Sequence, residues 1–465
     1  MDLIIALAAL ALLITAAYRG LTVIIFAPLI AMLAVLCTYP AAVPTVFSGL
    51  FMESVANFAK LYLPVLLLGA LFGKLIEVSG FSRAIVRSAV QIMGGENAIF
   101  TIMLVTSLLA YGGVSLFVVV FAVYPFAAEM FRTANIPKRL VPATIVLGCA
   151  TFTMDALPGT PQVQNIIPTS FFGTNAWAAP GLGLFGSALI VGSGLGYLNW
   201  RRRRLMRAGE GYGRPEDLRN EPEAAEDTRL VSPLIAILPL VVVAVANFVF
   251  TVLIERMHLT TSSATLAGLH APVTVDVRKL AALWAVEGAL LLGIATILAF
   301  AFATIASRFA DAARTAVAGA LLASMNTAME YGFGAVIAAL PGFVVVRDGL
   351  SVIPDPLLKE AITVTALSGI TGSSSGGLSI ALGAMANQFI AAGDAAGIPR
   401  EVLHRVAAMA SGGMDTLPHN GAIITLLTVA GMTHREAYKD IFALTALKTF
   451  AVFATIAVYY LTGLV

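Results

Sequence analysis

Charge is scarce in this chain. Asp, Glu, Lys and Arg make up 12% of its residues and hydrophobic residues 59%, against about 25% and about 45–50% in soluble domains. That composition excludes an ordinary soluble fold and describes an integral membrane protein, with room in 465 residues for about ten spans of roughly 20 residues each. Cysteine is nearly missing. Cys37 and Cys149 both lie in apolar runs, where a thiol behaves as a small hydrophobe, which argues against a disulfide framework or a thiolate metal site. A net charge of +2 gives no footing for nucleic acid. The first residues, MDLIIALAALALLITAAYRG, lack the positive n-region of a signal peptide and are expected to form a retained first span.

What the chain does have is a broken apolar segment. Val141 to Asn175 is interrupted by MDALPGTPQVQN, and a helix cannot run unbroken through Pro158 and Pro161, each of which lacks an N–H and crowds the carbonyl one turn back. In a bilayer such a break survives only where protein or a water-filled cavity satisfies the freed backbone groups. The chain makes the same break twice. MASGGMDTLPHNGAIITLL, around Asp415 and Pro418, shares its Met-Asp-x-Leu-Pro core, so that Met154 pairs with Met414 and Asp155 with Asp415.

The upstream sequence repeats in the same order. Tyr111 to Ser115 (YGGVS) answers Ser375 to Ser379 (SGGLS), Asn135 to Leu140 answers Gly397 to Val402, and Phe72 to Phe81 answers Phe333 to Phe343, each offset by roughly 260 residues. Two halves with Gly/Pro-interrupted segments in corresponding places point to a substrate site at the repeat interface. The apolar runs 97–131 and 360–391 are too long for one span and carry Gly-rich centres, so they read as re-entrant hairpins. If the hairpins return to their own side and the N-terminus is outside, most of the 28 basic residues fall inside, as orientation by positive charge requires. Arg405 is among those assigned to the outer side. The predicted fold is an all-α polytopic membrane protein of two inverted repeats. Residues 1–200 form the first (hairpin about 97–131, broken helix about 140–173), 201–230 a cytoplasmic linker, and 231–465 the second (hairpin about 360–391, broken helix about 401–431).

Asp155 and Asp415 sit inside the breaks. An ionised carboxylate there is costly unless paired, bonded or protonated, and intramembrane carboxylates are functional by default; either is a candidate for the coupled proton, and either could instead cap the half-helix that follows it. The hairpin centres combine glycine with hydroxyls: Gly112, Gly113 and Ser115 in the first, Ser373, Ser374, Ser375 and Gly376 in the second. Each precedes an apolar helix whose free N–H groups and positive dipole end would face an anion. A carboxylate is therefore expected to bind without Lys or Arg. Thr160, Gln162, Gln164, Asn165, His419 and Asn420 suit substrate hydroxyls or a second carboxylate oxygen. Glu287 and Lys448 have no repeated counterpart and read as scaffold ion pairs or snorkelling ends.

The stretches GGVSLFVVVFAVYPFA, TFTMDALPGTPQVQNIIPT and SGGMDTLPHNGAII resemble the gluconate permease (GntP) family of the ion transporter superfamily. The resemblance implies a homodimer in which a scaffold holds the dimer contact and a transport domain carries two hairpins and two broken helices. It implies import of small organic carboxylates, such as gluconate or 3-hydroxybutyrate, by proton symport with an elevator-type movement and without a cofactor, in the inner cell membrane. The superfamily's sodium-coupled dicarboxylate branch has Ser-Asn-Thr at its hairpin tips; this chain has Gly-Gly-Val-Ser and Ser-Ser-Ser-Gly-Gly, which points away from sodium. The alternatives are a sodium-coupled di- or tricarboxylate transporter, a channel, and an intramembrane aspartyl protease whose two aspartates share a proton. The Gly-x-Gly-Asp sequence of such proteases is absent here.

Overall fold

The computed structural model describes all residues except 1, 20, 94–96, 115, 214–217, 222–230, 269–270, 351–352 and 419. Ser115 and His419, both expected in the site, lie outside the described residues. Among the described residues the fold is all-α but for one small antiparallel hairpin of β1 (Thr261–Ala264) and β2 (Val273–Asp276).

The first half runs α1 (Asp2–Tyr18), α2 (Val23–Thr38), the turn α3 (Val43–Val46), α4 (Met52–Val78) and α5 (Phe81–Met93). There follow a helical hairpin of α6 (Ala98–Tyr111) and α7 (Leu116–Thr133), a broken helix of α8 (Leu140–Cys149), the turn α9 (Phe152–Asp155) and α10 (Val163–Phe172), and then α11 (Pro180–Arg207). The second half repeats the order: α12 (Pro233–Arg256), α13 (Val277–Ile305), α14 (Phe309–Ala339), α15 (Pro341–Leu350), the hairpin α16 (Pro356–Thr371) and α17 (Ser374–Ala395), the broken helix α18 (Arg400–Gly412) and α19 (Gly421–Val429), and α20 (His434–Thr462). Proline opens α11, α12 and α16 at positions where its missing N–H has no helical partner. Left-handed glycines close α10 and α16.

The packing shows the repeat directly. Element for element, α1, α2, α4, α5, α6, α8 and α11 correspond to α12, α13, α14, α15, α16, α18 and α20. Contacts occur in exchanged pairs: α2 lies on α14 as α13 lies on α4, and α1 lies on α15 as α12 lies on α5, while α4 packs on α14 and α11 on α20 across the centre. That is the pattern of a two-fold axis between the halves. Counting α1, α2, α4, the broken helix and α11 as crossings, with a hairpin that returns to its own side, each half crosses an odd number of times and so inverts the next. Five described helical segments are long and apolar enough to span a bilayer, including Pro180–Arg207 and His434–Thr462.

Two details depart from expectation. α11 continues through Arg201 to Arg204 and ends at Arg207, so the arginines assigned to the linker form the last turns of a helix, where positive charge faces the negative dipole end. Arg405, assigned to the outer side, is 0% exposed.

Candidate functional site

The first break is held by side chains aimed at its backbone. Tyr111 Oη donates to the Pro158 carbonyl at 2.8 Å and Asn247 Nδ2 to that of Gly159 at 2.9 Å. Asn165 Nδ2 donates to the carbonyls of Thr160 and Ala176, and Gln162 Nε2 to that of Ala110 at the hairpin end. Gly159 adopts φ +79° with its N–H on the Ala176 carbonyl at 2.8 Å. The bonds to Pro158, Gly159 and Thr160 satisfy carbonyls that the break would leave bare, and those to Ala110 and Ala176 tie it to the neighbouring chain. Gln162 and Asn165, expected to face substrate, are thus taken up by the chain itself, and Thr160 is fully buried.

Basic side chains complete this core, close to a break around which a carboxylate was expected to bind without Lys or Arg. Arg405, on α18, donates from Nη1 to the Asp155 carbonyl at 2.7 Å and to Asn165 Oδ1 at 3.0 Å, and from Nε and Nη2 to the Ala178 carbonyl. His404 Nε2 lies 3.3 Å from the same Asn165 oxygen. Lys448, on α20, is 1% exposed and stands 2.5 Å from Asp155 Oδ2, itself 0% exposed. Asp155 is therefore an ion-paired residue, and Lys448, expected as a scaffold ion pair or a snorkelling end, is the former. Asp155 thus faces one ammonium, one guanidinium and, from the second break, the carboxyl of Asp415. The sequence signal for Arg405 was its place on an apolar helix, HRVAAMASGG; its partner, however, belongs to the other half.

The second break is arranged differently. Asp415 Oδ1 accepts from the Ser374 backbone N–H at 3.3 Å and from Asn420 Nδ2 at 3.1 Å. Asn420 also donates to the Gly372 carbonyl and caps α19 by accepting from the Ala422 N–H at 2.8 Å. Ser373 caps α17, accepting from the Gly376 N–H at 3.1 Å. Ser375 Oγ lies 3.4 Å from both Ser373 Oγ and Thr327 Oγ1 of α14. Asp415, Asn420, Ser373 and Ser375 are half-buried, unlike Asp155.

The two halves meet at Ser374, whose Oγ accepts from Gln164 Nε2 of the first break at 2.7 Å. One residue of the second hairpin tip thereby touches both breaks. The first hairpin tip packs against both halves: a Cβ on Gly113, at φ +91°, would stand 3.2 Å from Pro161 of its own half, and one on Gly112 2.2 Å from Leu240 of α12. Three buried carboxylates or hydroxyls escaped the sequence reading: Glu330 on α14 is 5% exposed beside the second tip, Glu360 on α16 is 0% exposed, and Thr327 faces Ser375. Single acidic residues in long apolar helices carried no repeated motif to mark them.

No family model matches the chain. It is 52% identical, over 474 residues and 100% of both chains, to the uncharacterized transporter YxjC of Bacillus subtilis (strain 168). Its fold is similar to that in the crystal structure of the Alcanivorax borkumensis YdaH transporter, reported to have an unusual topology, with a TM-score of 0.56 over 91% of this chain and 90% of that one at 15% identity; this likeness concerns the fold alone. Identity of that extent settles the lineage, and the two breaks meeting at Ser374 agree with it: the chain belongs to the transporter family of YxjC.

Proposed function

We propose that the chain is a secondary active transporter that imports a small organic carboxylate, of the gluconate or short hydroxy-acid class, by proton symport across the inner cell membrane. The observation that carries this reading is the convergence at Ser374 of the first break, through Gln164, and the second break, through Asp415. A carboxylate bound there faces the N-termini of α17 and α19, whose N–H groups favour an anion, with Ser373, Ser375 and Asn420 half-buried beside it. The remaining tip residues, Gly112, Gly113 and Ser115, with His419, belong to the proposed path.

The hairpins and broken helices form the moving body and α4 and α14 part of the scaffold of a homodimer, in the manner of the gluconate permease family. Loading a proton with the anion lowers the net charge that crosses. With Asp155 held by Lys448, the coupled proton falls to Asp415. The test is uptake of gluconate and of 3-hydroxybutyrate into proteoliposomes of the purified protein under an imposed pH gradient, sodium absent. Asp415→Asn should keep substrate exchange across the membrane and lose accumulation. Accumulation by Asp415→Asn on a pH gradient places the proton elsewhere, and accumulation of the wild type only on a sodium gradient overturns proton symport.

A further inference from the structure

Glu330 is a carboxylate that the mechanism above does not use. It sits midway along α14, 5% exposed, and reaches the second hairpin tip. A Cβ placed on Gly376 would stand 1.7 Å from Glu330 Oε2, so only glycine in the first turn of α17 admits the carboxyl. The Ser373 side chain faces the carboxyl, and Oε2 has no hydrogen-bond partner. One turn earlier on the same face, Thr327 lies 3.4 Å from Ser375. α14 thus grips the tip at two successive turns, and one grip is a titratable group.

We propose that Glu330 is a second proton-binding group of the carrier, one that decides when the hairpin tip can leave α14. Ionised, the carboxylate is held by the positive end of α17 and by Ser373. Were the tip to move away, α14 would be left with a bare charge at the membrane interior, which is costly. Protonated, the side chain is neutral and can be left behind. Movement of the tip is therefore coupled to proton uptake at Glu330 whatever occupies the substrate site. The groups that could compete for the proton are few. α14 itself offers Tyr331; α4 offers Tyr62, which meets Tyr331 through Phe58. α17 carries no ionisable side chain before Asp394, Asp415 stands behind Ser374, and α2 brings only Cys37, which is exposed. The side chains of Arg347 and Asp348 on α15 lie outside the described residues.

This inference rests on the transport reading for its purpose, so its test avoids transport. Full-length protein in lipid nanodiscs is titrated with pH while two signals are followed: the infrared C=O band of protonated carboxyl groups, and amide hydrogen exchange of peptides covering residues 372–380, corrected for the intrinsic rate. In the wild type the tip should be several-fold more protected at high pH than at low pH. Glu330→Gln, which mimics the neutral acid, should lose one component of the carboxyl band and hold the tip at its low-pH exchange rate throughout. Retention of the wild-type pH dependence by Glu330→Gln overturns the proposal. If that variant does not fold, Ser373→Ala decides: loss of the cap alone lowers protection equally at every pH and would refute the proposal, whereas loss of the Glu330 partner narrows the gap between high and low pH. Failure of the uptake assay with a positive result here would discredit the assigned substrate and leave the latch standing.

Discussion

Replacing Lys448 with methionine should be among the most damaging single changes in the molecule, and the structure says how damaging. Lys448 and Asp155 are 1% and 0% exposed, with nitrogen and oxygen 2.5 Å apart. Methionine keeps the length and apolar body of the side chain, so little packing is lost. What it removes is the counter-charge of a carboxylate without access to water. Breaking a buried pair from one side costs about 3–5 kcal/mol, equivalent to roughly two to four powers of ten in the ratio of folded to unfolded protein. Reversible unfolding in mixed dodecyl maltoside and sodium dodecyl sulfate micelles measures that loss. The companion variant Asp155→Asn/Lys448→Met deletes both charges and should recover most of it, giving a coupling free energy of the same size in a double-mutant cycle. If Lys448→Met costs less than about 1 kcal/mol, the range of an exposed pair, or if the double variant is no better than the single, the pair is not the buried pin described here.

Three further outcomes are expected. Gly159→Ala forces a side chain into a φ of +79° with its Cβ 2.4 Å from the Trp177 ring, and should lower stability by at least about 1–3 kcal/mol in the same unfolding assay. Ser375→Phe should abolish stabilisation by gluconate or 3-hydroxybutyrate in a thermal-shift titration while leaving the unliganded melting temperature within a few degrees of wild type, since Ser375 is half-buried at the tip; retained ligand stabilisation would move the site away from the hairpin. Asp440, 0% exposed, accepts from Tyr197 at 2.8 Å and pairs with Arg201 at 2.8 Å and Arg139 at 3.6 Å; Asp440→Ala should destabilise by about 3–5 kcal/mol, and Asp440→Asn by less, because the amide oxygen still accepts.

Much of the architecture was readable because helix breaks are written in a local alphabet. Proline alone does not end a helix here, since Pro64, Pro125 and Pro168 lie inside α4, α7 and α10; it was the paired Met-Asp-x-Leu-Pro segments that located both interruptions. Glycines at 112–113 and a Gly-Ser-rich stretch from Gly372 to Gly377 marked the hairpin tips within runs too long for one span. Reading the site was harder, since residue type does not reveal direction. Gln162 and Asn165 had the right chemistry for a ligand, yet both donate to backbone carbonyls. Gln164, their neighbour, does cross to Ser374. Arg405 and Lys448 belong to the second half but serve the first break, and no local pattern announces a partner some 250 residues away. Glu330 escaped notice because a single acidic residue in a long apolar helix has no repeated counterpart to mark it.

The bond from Arg405 to the Asp155 carbonyl spans 250 residues of sequence, and this bears on how the chain is made. A nascent first half enters the membrane with its break already present, while the guanidinium that fills it has yet to leave the ribosome. Until α18 arrives, the carbonyls of Asp155 and Ala178 and the oxygen of Asn165 lack their donor, and water or the insertion machinery must stand in for it. The first half is consequently a poor candidate for independent life: expressed alone, residues 1–207 should be cleared by quality-control proteases, and co-expression with the complementary fragment should rescue them only if that fragment carries Arg405.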